Sequence, residues 1–216
     1  MRPGVRERIL AVPRDALFGG AWPQGFLTAS RLGSAASTAE SLARVGDRDD
    51  LETDPAFKQP IPYCMVTRGR ESVLCVQRKQ AGSEARLHGR MSVGIGGHAH
   101  PEDRGADGAF LRQALERELG EEITLPPTAA SRAICLGWIN DDSTAVGRVH
   151  FGIAYWLDLG PTAPVTVRET SKLEGGFERL VDSNPLWQDL HLFESWSQIL
   201  LEAWRLPQQS DGQVGA

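Results

Sequence analysis

Residues 94–125, GIGGHAHPEDRGADGAFLRQALERELGEEITL, join a glycine-rich turn to a long polar loop, and the loop to an amphipathic segment. Leu111, Leu115, Leu119 and Ile123 recur at every fourth position, which predicts a helix over residues 108–123, with Asp107 as its N-cap and its end before Pro126-Pro127. At about 100° per residue, those four apolar side chains span a stripe from 0° to about 120°. Glu118, Glu121 and Glu122 fall at about 340°, 280° and 20°, beside or inside that stripe, while Arg117 falls at about 240° on the outer side. A purely solvated acidic face would lie opposite the stripe. Carboxylates crowded against apolar surface repel one another and lose hydration. A hard divalent cation, which prefers oxygen ligands, offsets that cost, and so does a nearby Arg or Lys.

The flanking segments predict strands. Residues 63–67 and 72–77 are apolar runs separated by Arg68-Gly69-Arg70-Glu71, a hairpin signature, and residues 91–95 read as a third strand running into the glycine turn. The second run, Val73 to Val76, is continuously apolar, as expected of a strand covered on both faces. Residues 79–86 read as a loop. After the helix, residues 133–139 and 149–157 are strand-like, with a polar link at Asn140-Asp141-Asp142-Ser143, and short strands are expected at 165–167 and 176–180. An amphipathic helix is expected from about Leu192 to Trp204. Strands on both sides of one central helix, with a second helix at the end, give an α/β protein with a mixed sheet covered by helices.

Upstream, residues 8–12 form a short apolar run closed by Pro13 and read most simply as an edge strand. Residues 28–59 are weakly patterned, with an Ala- and Ser-rich piece at 34–45 and an acid-dense piece at 46–55. The expected organisation is an N-terminal segment (1–60) packed on or extending the core, one domain over 61–206, and a polar tail (207–216).

The run Arg117-Glu118-Leu119-Gly120-Glu121-Glu122 resembles the core of the Nudix box, G-x5-E-x7-R-E-U-x-E-E-x-G-U, where U is a bulky apolar residue. The resemblance implies a Nudix-like α/β/α sandwich, in which Glu118, Glu121 and Glu122 ligate Mg²⁺ or Mn²⁺ and Arg117 holds the box together. It departs in four places. Ala109 stands where the box has its first Glu, Asp103 where it has its first Gly, and Thr124 where it has its last Gly. Gly97 lies six residues further from Arg117 than the pattern sets, which reads as an insertion after Gly96-Gly97. Arg117 thereby lacks its usual partner, for which Glu102, Asp103 and Asp107 are the available acids. The turn Ile95-Gly96-Gly97-His98, with other short pieces spread over most of the chain, is similar to a bacterial Nudix subgroup.

By that resemblance the chain is a cytoplasmic, metal-dependent pyrophosphohydrolase acting on a diphosphate linkage in a nucleotide-like or other phosphorylated small molecule. Glu121 and Glu122 would be catalytic through the metal. Glu174, expected in a loop after a short strand, is the candidate general base, with a solvated surface acid as its plainer reading. Arg86, Gly97, His98 and Asp142 are candidate substrate contacts. A loop ion pair for Arg86, an Asx turn at Asp141-Asp142 and a backbone-bonded turn histidine at His98 are the plainer readings. His100 is a weaker candidate, and His150, alternating with apolar residues, reads as a sheet histidine. A non-catalytic Nudix module that senses a nucleotide metabolite is the alternative. An isoprenoid diphosphate isomerase would need a cysteine near the glycine turn, where none of Cys64, Cys75 and Cys135 lies. Three widely spaced cysteines do not make a disulfide framework or a zinc site and read as buried reduced thiols.

Net charge of −5 argues against nonspecific nucleic-acid or anionic-membrane partners. The charged first residues do not resemble a signal peptide, and no stretch approaches the roughly 18 apolar residues of a membrane span. A homodimer is what the resemblance suggests.

Overall fold

The computed structural model describes residues 6–78, 90–168, 170, 173–179 and 189–205. The loop expected at 79–86, with its candidate Arg86, and the tail at 207–216 lie outside the described residues.

The N-terminal segment enters the sheet at once. β1 (Arg8–Pro13), β2 (Gly25–Thr28) and β3 (Arg44–Asp47) precede β4 (Phe57–Arg68), and Gly69, at φ +60°, turns the chain into β5 (Ser72–Arg78). β1 is not the edge strand its pattern suggests. It pairs with β3 along Arg8 to Ala11 and with β4 at Val12 and Pro13, while the Leu10 N–H donates to the Ala99 carbonyl at 2.8 Å. Pro13 is tolerated because it closes the strand, where a missing N–H removes least. The weakly patterned stretch before β4 also holds order, with helices at Ala29–Leu32, Ala35–Leu42 and Arg48–Leu51.

The single strand expected over 91–95 is two, β6 (Met91–Ser92) on β5 and β7 (Gly94–Ile95) on β4. At the break the Val93 N–H donates to Ser197 Oγ at 3.0 Å instead of to a strand. Beside it, a Cβ on Gly94 would fall 2.0 Å from the Tyr63 ring, so only glycine lets β7 pass over that tyrosine. Further on come β8 (Ile123–Thr124), β9 (Ile134–Asn140), β10 (His150–Asp158), β11 (Thr166–Val167) and β12 (Leu173–Arg179). The main sheet runs β12-β5-β4-β10-β9-β2, with β4 and β10 parallel and the neighbouring pairs antiparallel. β8 and β11 form a separate two-stranded ladder.

The central strands are buried on both faces, and the two-residue alternation of side chains sorts them. Cys64 and Val66 of β4, with Phe151, Ile153, Tyr155 and Leu157 of β10, pack in one core with Leu111, Leu115 and Leu119 of the helix Leu111–Glu122. Tyr63 and Met65 of β4 and Ala154 of β10 pack in the other with Leu200, Leu201 and Trp204 of the helix Ser195–Arg205. The result is an α/β/α sandwich.

The long helix starts later than its pattern implies, because its cap comes from elsewhere. Asp107 bonds only the Ala109 N–H, whereas Glu40 Oε1 accepts from the N–H groups of Phe110 (2.8 Å) and Leu111 (2.9 Å). Two otherwise orphaned donors at the helix start are thus satisfied across seventy residues of chain. The C-terminal helix likewise begins at Ser195, after a short turn of 3₁₀ helix at Leu190–Leu192. All three cysteines are free thiols, and burial raises the pKa of each, that of Cys75 to about 12. Among the described residues, no helix is long and apolar enough to cross a membrane.

Candidate functional site

The turn and the long helix meet at Arg117. Its Nε and Nη2 both bond the Asp103 carboxylate at 2.9 Å, the bidentate geometry in which a guanidinium binds best. Nη2 also donates to the His98 carbonyl (2.8 Å) and Nη1 to Glu118 Oε1 (2.6 Å). Asp103 is therefore the acid that replaces the missing box glutamate, and it occupies the position of the first box glycine. Burial pushes its carboxyl up, but the bonds from Arg117 and from the His100 N–H outweigh that and hold it below the ordinary range.

The helix carboxylates follow the wheel. Glu118 and Glu122 are buried, at 9% and 8% exposure, while the Glu121 side chain is 60% exposed. Glu118 is pushed upward by lost hydration, which Arg117 only partly counters. Its carboxylate lies against the glycine turn, since a Cβ on Gly97 would meet Oε2 at 2.5 Å. Gly96 is held as tightly, with a Cβ there falling 1.7 Å from the Pro62 carbonyl oxygen. Gly-Gly at this point is thus required by close approach, to strand on one side and to carboxylate on the other. With Glu121 on the exposed flank, the three carboxylates do not draw together as a ligand set.

A different set of side chains does draw together. Among the described residues, Glu52, His98 and His150 bring a ligand atom each within 4.8 Å of one another. His98 Nε2 and His150 Nε2 are 3.1 Å apart, and Glu52 Oε1 lies 3.8 Å from each. His150 is the first residue of β10, next to Gln59 of β4, and Glu52 follows the helix Arg48–Leu51. His98 is among the residues singled out from the sequence, whereas Glu52 is one acid in an acid-dense run and His150 reads as a sheet residue. No local signal separates either from its bland alternative.

The remaining candidates are scattered. Asp142 is bound up in a half-buried network, accepting from the buried Lys58 Nζ at 2.8 Å, from Gln24 Nε2 at 3.0 Å and from Arg14 Nη2 at 2.5 Å. Burial pushes its carboxyl up, but those bonds prevail and hold it at about 2. The Asx turn is made by Asp141, which accepts from the Ser143 N–H. Glu174 lies within β12 and is exposed, not in a loop. His100 Nε2 is 3.4 Å from Glu7 Oε1.

No protein-family model matches the chain. Protein YmaB of Bacillus subtilis (strain 168) is 36% identical over 202 residues, covering 91% of this chain and 96% of YmaB. The crystal structure of Tm1382, a candidate Nudix hydrolase, aligns with a TM-score of 0.69 and 27% identity over 91% of this chain and 97% of that one. A bifunctional NMN adenylyltransferase/ADP ribose pyrophosphatase from Francisella tularensis, complexed with AMP and a Mn ion, aligns with a TM-score of 0.50 over 68% of this chain and 40% of that one. At 15% identity that last likeness is one of fold alone.

Proposed function

This chain belongs to the Nudix superfamily, and from that premise we propose that it is a metal-dependent hydrolase of a diphosphate linkage in a nucleotide-like or other phosphorylated small molecule. The observation that carries the reading is Asp103. With Ala109 in place of the box glutamate, the box would lose the partner that orients its arginine, and Asp103 supplies that partner in bidentate form. The loop is longer, but it delivers an acid to the same guanidinium. This supports an intact box and weighs against a module that has abandoned turnover.

The donor types suit Mg²⁺ or Mn²⁺, although the three carboxylates are not gathered around one point in this structure. Glu118, Glu121 and Glu122 offer only oxygen, and Glu118 is a desolvated carboxylate whose charged form a cation would favour. When bound, the ion supplies Lewis-acid polarisation of a phosphoryl oxygen and a more acidic water. Arg117 keeps Glu118 beside the turn, and Gly97 leaves room for that carboxylate against the strand end. Glu121 and Glu122 are the proposed catalytic carboxylates. Glu174 is the proposed base, provided it comes within about 3 Å of the attacking water or reaches it through one more. Arg86 is the proposed phosphate contact, and a cytoplasmic location is part of the same reading.

The test is a screen of nucleoside di- and triphosphates, dinucleoside polyphosphates, nucleotide sugars and nucleotide cofactors with Mg²⁺ or Mn²⁺. Turnover that disappears in the Glu121→Gln, Glu122→Gln double variant supports the assignment. Turnover that survives it rules the mechanism out, and tight ligand binding without turnover moves the protein to the sensing class.

A further inference from the structure

We propose that Glu52, His98 and His150 form a second metal site, separate from the helix carboxylates, that takes a first-row transition ion such as Zn²⁺. The proposal does not depend on the hydrolase reading. Its basis is a triangle. The sides are 3.1 Å between the two Nε2 atoms and 3.8 Å from Glu52 Oε1 to each. A point about 2.1 Å from all three corners exists inside it, which is the bond length that zinc makes to imidazole nitrogen and carboxylate oxygen.

The donor types point the same way. Two imidazoles and one carboxylate suit Zn²⁺, Fe²⁺ or Co²⁺, whereas Mg²⁺ and Ca²⁺ prefer all-oxygen sets. Three protein ligands also leave a coordination position for water or an incoming oxyanion.

The surroundings fix each ligand in a binding orientation. His150 Nδ1 is 2.9 Å from the Val146 carbonyl, which can only accept, so Nδ1 carries a proton and in the neutral ring Nε2 presents its lone pair toward the centre. A backbone carbonyl on the outer ring nitrogen is the usual support of a metal-bound histidine. The His150 carbonyl accepts from Lys58 Nζ at 3.0 Å and the His98 carbonyl from Arg117 Nη2 at 2.8 Å, so a buried or half-buried cation anchors each histidine's backbone. Gln59, the strand neighbour of His150, donates from Nε2 to the Leu51 carbonyl at 3.2 Å and so ties down the residue before Glu52. Arg48 Nε lies 3.5 Å from Glu52 Oε1. Both histidine side chains are buried, at 9% and 5% exposure, while that of Glu52 is 23% exposed, which leaves an entry path on the carboxylate side.

The competing explanation for the short Nε2–Nε2 distance is a hydrogen bond between the two rings, with a proton where the ion would be. Titration of metal-stripped full-length protein with Zn²⁺ and Co²⁺ in excess Mg²⁺ separates them. Expected are one tightly held equivalent, Co²⁺ ligand-field bands in the visible, and a Zn²⁺-dependent rise in Tm. Glu52→Gln and His98→Gln should each weaken binding about 100-fold or more, since even outer partners of a metal site are worth 10–100-fold. Glu52→Gln preserves shape at a partly exposed position, so it keeps the test interpretable if His98→Gln unfolds. The Glu121→Gln, Glu122→Gln double variant should bind Zn²⁺ like the wild type while losing hydrolysis, so failure of this proposal and failure of the hydrolase reading are told apart. Absence of a tight equivalent in the wild type, binding unchanged by Glu52→Gln, or binding lost in the helix double variant would each overturn the second site.

Discussion

Arg117 and Lys58 each hold the backbone carbonyl of one of the paired histidines, yet they do so with different chemistry. The Arg117 fork places two donors on one carboxylate and the rest on His98, Glu118 and, at 3.5 Å, Glu121, and its side chain stays 25% exposed. Lys58 is wholly buried, with Asn140 Oδ1, Asp142 Oδ1 and the carbonyls of Gly147 and His150 within 3.0 Å of one ammonium. Three protons serve four acceptors. Burial lowers Lys58 to about 8 against the pull of Asp142, whereas hydrogen bonding to Asp103 raises Arg117 further. A guanidinium keeps its charge in such a site, and an ammonium keeps it only while its partners remain. The Lys58 end should therefore be the more brittle of the two.

That asymmetry can be broken by substitution. Lys58→Met removes the ammonium from Asn140 Oδ1 and two buried carbonyls and leaves Asp142 with only Arg14 and Gln24. The loss expected in urea unfolding is about 3–5 kcal/mol, at about 1–3 kcal/mol for each buried acceptor left unmatched. A loss below about 1 kcal/mol would show that the buried network is dispensable. Asp103→Asn keeps the shape but removes the charge, and should cost about 1.5–3 kcal/mol. It should also lower hydrolytic turnover, because Arg117 then loosens from the turn. Equal losses in the two variants would erase the contrast.

Acid unfolding sharpens it. Asp142 has its folded pKa depressed from 3.8 to about 2, so its contribution is complete above the unfolded value and disappears as pH falls from about 4 toward 2. The expected loss is about 2 kcal/mol, and the stability–pH curve of Lys58→Met should be flatter over that interval. Asp103 is depressed in the same direction and adds to the wild-type slope. The smallest effect belongs to a contact shared by neither cation. Glu40→Ala should cost about 1 kcal/mol through the lost helix cap, with amide exchange at Phe110 and Leu111 rising first.

The long helix was legible because its periodicity and its burial have one cause. Glu122, inside the apolar stripe, and Glu118, at its edge, are buried, and Glu121, further round, is exposed. Strands around Gly69 and before Gly96 were legible for the same reason, alternation or continuous apolarity bounded by turn residues. Asp103 was one of three acids within reach, and only the path of the inserted loop chooses it. What stayed hidden depends on chain separations that no local pattern encodes. Glu40 caps a helix seventy residues away, and the rings of His98 and His150 meet across fifty-two. β1 looked like an edge because the strand it joins and the carbonyl of Ala99 lie far along the chain.

The way the first sixty residues enter the sheet bears on how the protein can be cut. A version beginning at residue 61 would retain the entire box but lose Glu52 and Lys58. It would also strip β2 from β9, exposing a row of unpaired amides and carbonyls alongside Ile139 and Trp138. An uncovered strand of that kind is a template for edge-to-edge association. The trimmed protein should therefore fail by clumping, whether or not its helix still folds.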